Sequence, residues 1–480
     1  MILQALRELC KKVHSYYHLD HDFNYGALFD RYRIVTIYLL CLIFGIWLYY
    51  TSPTFGILFM LFLLLLAGVP VYTTLGVIGC LGLYFLLGAE AGLSQSAIIA
   101  VSSLDNFVIL AIPMYILAGQ ILMSGGIGHE LFEVCYKWVG HLPGGLAATT
   151  IGSCAIFAAI SGSSVATAAA IGIIALPEML KRSYDRPLSY GSLAAGGTLG
   201  IMIPPSAAMI IYSGITDEST GALFMGGIIP GVILTLFFAV YAIVFCKITG
   251  RYEKVSPFSW KERATVFRHS FWALMAPVLV IGSIYTGIAT PTEAGAISVV
   301  YALIVSLGRK KIKLSQINQI LAVSTRSSTM ILMIVIGALL LGAITTFLQI
   351  PQFFVDWVSG FDAPRWVILF LICVMYVFLG MFLEVISILL ITIPIVYPLI
   401  IHLGFNGIWF GVFIVILMEM ALITPPVGLN IYVIQGISDA KMHEVIKGVL
   451  PFMLLLLFTL VLLWMFPQLI MLLPNSMGFG

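Results

Sequence analysis

Residues 160–172 read ISGSSVATAAAIG, with three hydroxyls, Ser161, Ser163 and Ser164, set around Gly162 and a run of alanines behind them. In apolar surroundings small residues let helices approach closely, which accounts for the alanines. It leaves the hydroxyls unused. A re-entrant turn whose serine oxygens and freed carbonyls face a cavity uses all of them. A second stretch, LGIMIPPSAAM, carries Pro204 and Pro205 in succession. Two consecutive prolines remove two N–H donors and interrupt a helix, so the carbonyls before them lose their partners. The device recurs in LITPPVGLN, where Thr424 precedes Pro425 and Pro426, and Gly428 and Asn430 follow. Open carbonyls at a helix break suit Na+, and the N-terminus of the next helix suits an anion. One Pro-Pro pair is commonly a kink. Two at corresponding places predict a paired ion or substrate site.

Charge within the apolar segments is scarce: Asp105, Arg326, Glu384 and Glu419 are the candidates. An ionisable group at membrane depth is a functional candidate by default. Asp105, in SSLDNF, also fits a helix N-cap region, and Arg326 fits an interface. Glu384, just after the Gly380 break, resembles the tip of a second hairpin. Thr290, Pro291 and Glu293, in TPTEAGA, form a capping box with proline at the first helical position, a structural role that needs no chemistry. The chain lacks H-E-x-x-H, a G-x-S-x-G elbow and the G-x-x-x-x-G-K-[ST] phosphate loop. The expectation is therefore no enzyme and no ATP hydrolysis by that route, with an ion gradient as the energy source. His18, Asp20, His21 and Asp22 lack metal-ligand spacing and read as a solvated loop.

The elements that must hold these residues follow from composition. Of 480 residues, 61% are hydrophobic and 9% charged, and the mean hydropathy is +1.09. Charged residues are normally about a quarter of a soluble domain. Apolar stretches of spanning length recur from residue 34 to 473, without strand alternation, so the fold class is an all-α polytopic membrane protein. The net charge of +2 argues for no nucleic-acid partner. Lys and Arg gather instead in two segments, Lys247 to Arg268 and GRKKIK (308–313), which the positive-inside rule places in the cytoplasm. Two spans, near 271–288 and 292–307, fit between them. The N-terminus is too polar for a signal peptide and reads as an amphipathic cytoplasmic segment. The seven cysteines form no C-x-x-C and read as packing residues.

The chain also repeats itself. Pro177 in IIALPEML precedes Pro205 by 28 positions, and Pro394 in LLITIPIVYP precedes Pro426 by 32. LAGQILMSGGIG (117–128) and LLGAITTFLQIP (340–351) lie at a comparable offset. Gly/Pro-interrupted apolar segments at matching places in two halves predict a secondary transporter built of two inverted repeats, each with a re-entrant hairpin and a broken helix. The expected divisions are 1–33, a cytoplasmic segment; 34–50, an extra transmembrane helix; 51–270 and 271–474, the two repeats; and 475–480, a tail.

IFAAISGSSVATAAAIG, AAGGTLGIMIPPS, TPTEAGA and LITPPVG, with HLPGGLA (141–147) and IIPGVIL (228–234), resemble the large membrane subunit of tripartite ATP-independent periplasmic (TRAP) transporters across roughly residues 55–473. That resemblance implies Na+-driven import of an organic acid anion across the bacterial inner membrane. It implies a small membrane subunit and a periplasmic substrate-binding protein as partners, and an elevator motion of a transport domain against a scaffold. Carried over, Ser161, Ser163, Gly200 and Pro205 line one Na+ site, and Gly380, Thr424 and Pro426 a second by repeat symmetry. Substrate lies between the hairpin tips near Ser164, Ser206 and Asn430. The extra run at 34–50 departs from the family core and resembles the helix that joins the two subunits where they are fused, so it is expected at their interface. The competing reading is a stand-alone carboxylate symporter that needs no binding protein. Dicarboxylates, sialic acid, other sugar acids and sulfonates all fit the sequence.

Overall fold

Caps written into the sequence start many of the helices. In the computed structural model, which describes residues 44, 45, 47, 48, 51–360, 364–425 and 428–478, Ser163, Asp185, Ser206, Ser219 and Asn406 each accept a backbone N–H from the first turn of the following helix. The capping box at Thr290 and Glu293 forms as expected, and a second one joins Ser259 to Glu262. No strand occurs among the described residues, which hold 21 α-helices.

The chain divides into two units, residues 1–70 and 71–480. In the first, α1 (Pro53–Leu66) begins at a proline, and Phe44 meets Trp47 and Phe59 edge-on or tilted. The segment 1–33, with His18, Asp20, His21 and Asp22, lies outside the described residues, as does most of 34–50.

The second unit opens with α2 (Val71–Leu87), α3 (Ala89–Leu104), α4 (Ala111–Ser124) and α5 (Ile127–Val139). Next come α6 (Gly145–Ser161), α7 (Ser164–Lys181), α8 (Arg186–Thr198), a 3-10 turn at Leu199–Ile201, α9 (Ala207–Thr216) and α10 (Thr220–Thr249). They are followed by α11 (Trp260–His269), α12 (Phe271–Tyr285), α13 (Pro291–Gly308), α14 (Leu314–Phe347) and α15 (Ile350–Ser359). The remainder is α16 (Arg365–Gly380), α17 (Val385–His402), α18 (Gly407–Leu422), α19 (Leu429–Gly436), α20 (Met442–Met465) and α21 (Gln468–Ser476). Six helices are long and apolar enough to cross a membrane, or eight if the pairs α4/α5 and α11/α12, bent by 70° and 62°, each count as one span. The spans foreseen near 271–288 and 292–307 are α12 and α13.

Packing separates the unit into two groups of helices. In one, α2 and α3 pack on α14, which also meets α4, and α4 packs along α13. In the other, α8 packs on α6, α7 and α20, and α18 packs on α16, α20 and α10. Helix α18 is buried on all sides, with every residue but Met420 withdrawn from the surface, which is the mark of a central helix. Glycines allow the closest crossings: a Cβ on Gly191 would stand 2.0 Å from the Gly448 carbonyl oxygen, and one on Gly337 2.8 Å from Leu75 Cβ.

The second basic segment, at 308–313, is held at one buried carboxylate. Glu130, at the start of α5, accepts Arg309 Nη1 at 2.9 Å and holds Lys311 Nζ at 3.1 Å. Arg309 Nη2 donates to the His269 carbonyl at 3.0 Å, and Ser270 Oγ to the Glu130 carbonyl at 3.3 Å. Glu130 therefore fastens the elbows of both bent helix pairs to the loop between α13 and α14. Of the cysteines, Cys154 and Cys246 are buried, Cys80, Cys135 and Cys373 are half-buried, and all five are free thiols. Asp105 closes α3 instead of capping the next helix; Asn106 makes the cap bonds, accepting Val108 N–H at 2.9 Å. Arg326 is exposed on α14.

Replacing Glu130 by alanine leaves two cations facing a hole. Because Arg309 and Lys311 are partly exposed, the loss is expected at about 2 kcal/mol, below the 3–5 of a fully buried pair. Thermal unfolding of the detergent-solubilised chain checks it, with Lys137→Ala, whose partner Glu262 is half in solvent, expected to leave the midpoint unchanged.

Candidate functional site

Four interruptions of the helical ladder converge on one cavity of about 510 Å³. The link between α6 and α7 contributes Ser161, Gly162, Ser163 and Ser164; the break before α9 contributes Pro205, Ala207 and Ala208. The turn between α16 and α17 adds Glu384, Val385 and Ile386, and the break between α18 and α19 adds Leu422 and Leu429. The opposite wall comes from the other helix group, with Tyr115, Gln120 and Met123 on α4 and Ser327 and Met330 on α14.

The local geometry of the first link follows from one glycine. Gly162 ends α6 in the left-handed region, at φ 60°, where a side chain costs about 1–2 kcal/mol. Its open face lets the Pro205 carbonyl approach: a Cβ there would lie 2.7 Å from the Pro205 oxygen. Across the same contact, a Cβ on Gly200 would lie 2.4 Å from the Ser163 carbonyl oxygen. Ser161, Ser163, Gly200 and Pro205, expected to share one site, are thus brought together by two reciprocal backbone approaches. Thr167, one turn into α7, completes the cluster. Its hydroxyl donates to the Ser163 carbonyl at 2.8 Å and lies 2.8 Å from Ser161 Oγ. The Pro205 carbonyl, by contrast, accepts no hydrogen bond among the described residues. The peptide Pro204–Pro205 is cis.

At the second break, Thr424 is buried and returns its hydroxyl to the Met420 carbonyl at 2.6 Å. Gly380 is buried against the same helix end, where a Cβ would meet Ala421 Cβ at 2.2 Å. Gly380 and Thr424 therefore flank the end of α18, while Pro426 lies outside the described residues.

The three residues expected near substrate occupy different depths. Ser164 lines the cavity and is itself 4% exposed. Asn430, fully buried on α19, donates through Nδ2 to Ser164 Oγ at 2.8 Å and to the Ala194 carbonyl at 3.1 Å. Ser206 is buried at the head of α9 and donates to the Ile201 carbonyl, closing the 3-10 turn. Asn430 and Ser206 thus brace the walls from behind, and Ser164 presents its edge to the cavity. Glu384 precedes α17 at the N-cap position with no side-chain cap bond, so its carboxyl borders the open space.

Sequence reasoning passed over Thr167, Gln120 and Ser327. Thr167 was within reach of it, since a hydroxyl four positions after Ser163 falls on the same helix face. Gln120 and Ser327 are polar groups in apolar spans, a signal in their own right, but only tertiary packing turns them toward this cavity.

Comparison with known proteins gives a consistent answer. Residues 58–469 match the family described as the tripartite ATP-independent periplasmic transporter DctM component. The C4-dicarboxylate TRAP transporter large permease protein DctM of Pseudomonas aeruginosa is 35% identical over 408 residues, covering 84% of this chain and 94% of that one. The sialic acid TRAP transporter large permease protein SiaM of Vibrio cholerae serotype O1 is 31% identical over 419 residues, covering 87% and 97%. Among solved structures, the Alcanivorax borkumensis YdaH transporter superposes with a TM-score of 0.54 at 14% identity, over 86% of this chain and 99% of that one, a likeness of fold.

Asn430 satisfies two buried groups at once. Asn430→Leu strands Ser164 Oγ, an expected loss of about 1–3 kcal/mol, and takes a second bond from the Ala194 carbonyl, which keeps its place in the ladder of α8. A lowered unfolding midpoint for Asn430→Leu checks this. Ser164→Ala, which leaves the amide its bond to Ala194, should be the milder change.

Proposed function

The chain belongs to the DctM component family of tripartite ATP-independent periplasmic transporters, and we propose that it is a Na+-coupled importer subunit for an organic acid anion handed over by a periplasmic binding protein. It is a multi-pass protein of the bacterial inner membrane, and its relatives are transporter permease subunits. The observation that carries the finer reading is the convergence of four helix interruptions on one cavity walled by a second helix group. Broken helices meeting where two groups adjoin are how secondary transporters build ion and substrate sites.

In this reading one Na+ is held at Ser161, Ser163, Gly200 and Pro205, with the unengaged Pro205 carbonyl as a ready oxygen ligand. A second is held at Gly380, Thr424 and Pro426. Substrate binds in the cavity against Ser164, with Ser206 and Asn430 as part of the same site, and the N-termini of α7 and α9 favour its carboxylate. The group around α8 and α18 moves as an elevator against the group around α14. A small membrane subunit completes the membrane complex, with the run 34–50 at the contact. Relatives named for a C4-dicarboxylate and for sialic acid support a carboxylate as the group recognised.

The energetics are of the right order. One net positive charge moved inward gains about 2.3 kcal/mol per 100 mV. Two Na+ with a monoanion use that term; two with a dianion are electroneutral and rely on the concentration gradient.

Proteoliposomes holding the chain and its small subunit test the proposal by uptake of candidate acids, with and without an inward Na+ gradient and the binding protein. Uptake is expected to require both. Uptake with Na+ alone points to the stand-alone symporter, and uptake indifferent to Na+ sinks the ion-site assignment. Ser163→Ala and Thr424→Ala should each raise the Na+ needed for half-maximal uptake by about tenfold, the effect of a lost contact of about 1.4 kcal/mol.

A further inference from the structure

Glu419 lies on α18, five positions before Thr424. It is wholly buried, and neither carboxylate oxygen has a hydrogen-bond partner. A bare negative charge at this depth is among the costliest groups a fold can contain, so something must neutralise it. Three sources exist: a basic side chain, a metal cation or a proton.

No basic side chain among the described residues forms an ion pair with Glu419. Several polar groups on the surrounding helices are engaged elsewhere. Tyr376 of α16 bonds Thr392, Tyr397 of α17 bonds Glu218, and Tyr212 of α9 donates to the Gly407 carbonyl. Arg365, at the head of α16, stacks over Phe405, and Asn430 of α19 is bound to Ser164 and Ala194. Arg186 on α8, Lys247 on α10, His402 on α17, and His443 and Glu444 on α20 lie in the end turns of their helices, Lys447 lies in the second turn of α20, and α21 carries no charge. A metal cation gathers several oxygens in open space. Glu419 does not line the cavity, and no metal-binding cluster of His, Cys, Asp and Glu occurs among the described residues.

The polar side chain beside Glu419 is Thr198, the last residue of α8 before the first break. Its hydroxyl proton is committed to the Ala195 carbonyl at 2.8 Å. We propose that Glu419 is a proton-binding site, occupied in this conformation, whose neutral acid lets the end of α8 pack on α18 next to both helix breaks. Loss of the proton places a net negative charge between the breaks, so raising the pH acts against this conformation. The inference goes beyond Na+ coupling, and its spectroscopic test does not depend on the transport reading.

The full chain reconstituted in lipid, compared with Glu419→Gln by infrared difference spectroscopy at neutral pH, should show a carboxylic-acid C=O stretch that shifts in D2O and is missing from the variant. A pair of carboxylate bands missing instead overturns the proposal. Should Glu419→Gln not elute as a monodisperse species, Glu419→Asp takes its place, and the acid band must then shift; an unshifted band is equally fatal. In uptake, Glu419→Gln should stay within about twofold of the parent at neutral pH and lack the parent's alkaline decline. A monodisperse but inactive Glu419→Gln means that the charged form is required, and the proposal fails.

Discussion

A backbone inside lipid has no water to turn to, and the organisation of this molecule follows from that constraint. A helix satisfies its own N–H and C=O groups; a broken helix does not. Every interruption must be enclosed by protein, and enclosing four of them requires that they be enclosed together. The link at Gly162–Ser163, the two Pro-Pro breaks and the turn before Glu384 accordingly border one cavity. Serine and threonine hydroxyls there bond carbonyls at the interruptions: Ser206 serves Ile201, while Thr167 and Thr424 add a second bond to the Ser163 and Met420 carbonyls, which each keep a backbone N–H. The Pro205 carbonyl is left over, and a leftover oxygen is what a cation needs.

The same logic explains where small residues fall. Several glycines mark the places where one backbone touches another. At Gly162 and Gly200 the contact joins a link to a break, and at Gly191 and Gly448 it locks two helices of the same group. Large side chains fill the core, as at Tyr212 and Phe157, and others face outward, as at Ile173 and Ile248 on helices of spanning length. Hydrophobicity makes the chain a membrane protein, but steric allowance for close approach gives it this shape.

Much of this was legible before any coordinates, and the reason is locality. Capping at Thr290 and Glu293 depends on residues three apart, and Pro-Pro breaks announce themselves by chemistry that neighbours cannot alter. Ser161, Ser163, Gly200 and Pro205 were grouped through the family resemblance, and the structure places them beside one another. What stayed hidden needs tertiary contact. Nothing near Glu130 foretells Arg309 and Lys311, and the bend between α4 and α5 has only Gly125 and Gly126 as a local mark. The face that Gln120 and Ser327 turn inward is set by helix packing, which periodicity in an apolar segment does not encode. Pro426 and most of 34–50 lie outside the described residues.

The bond between Ser164 and Asn430 joins positions 266 residues apart, one in each half of the chain. During synthesis at about 5–20 residues per second, Asn430 is made roughly 13–53 s after Ser164. Through that interval the first half lacks the amide that Ser164 Oγ bonds in the finished fold. The first half therefore has to persist in a provisional packing, held by its own threonines and glycines, until the second half arrives to close it. Insertion of this protein is a two-act process in time, and the amide of Asn430 is the stitch that ends it.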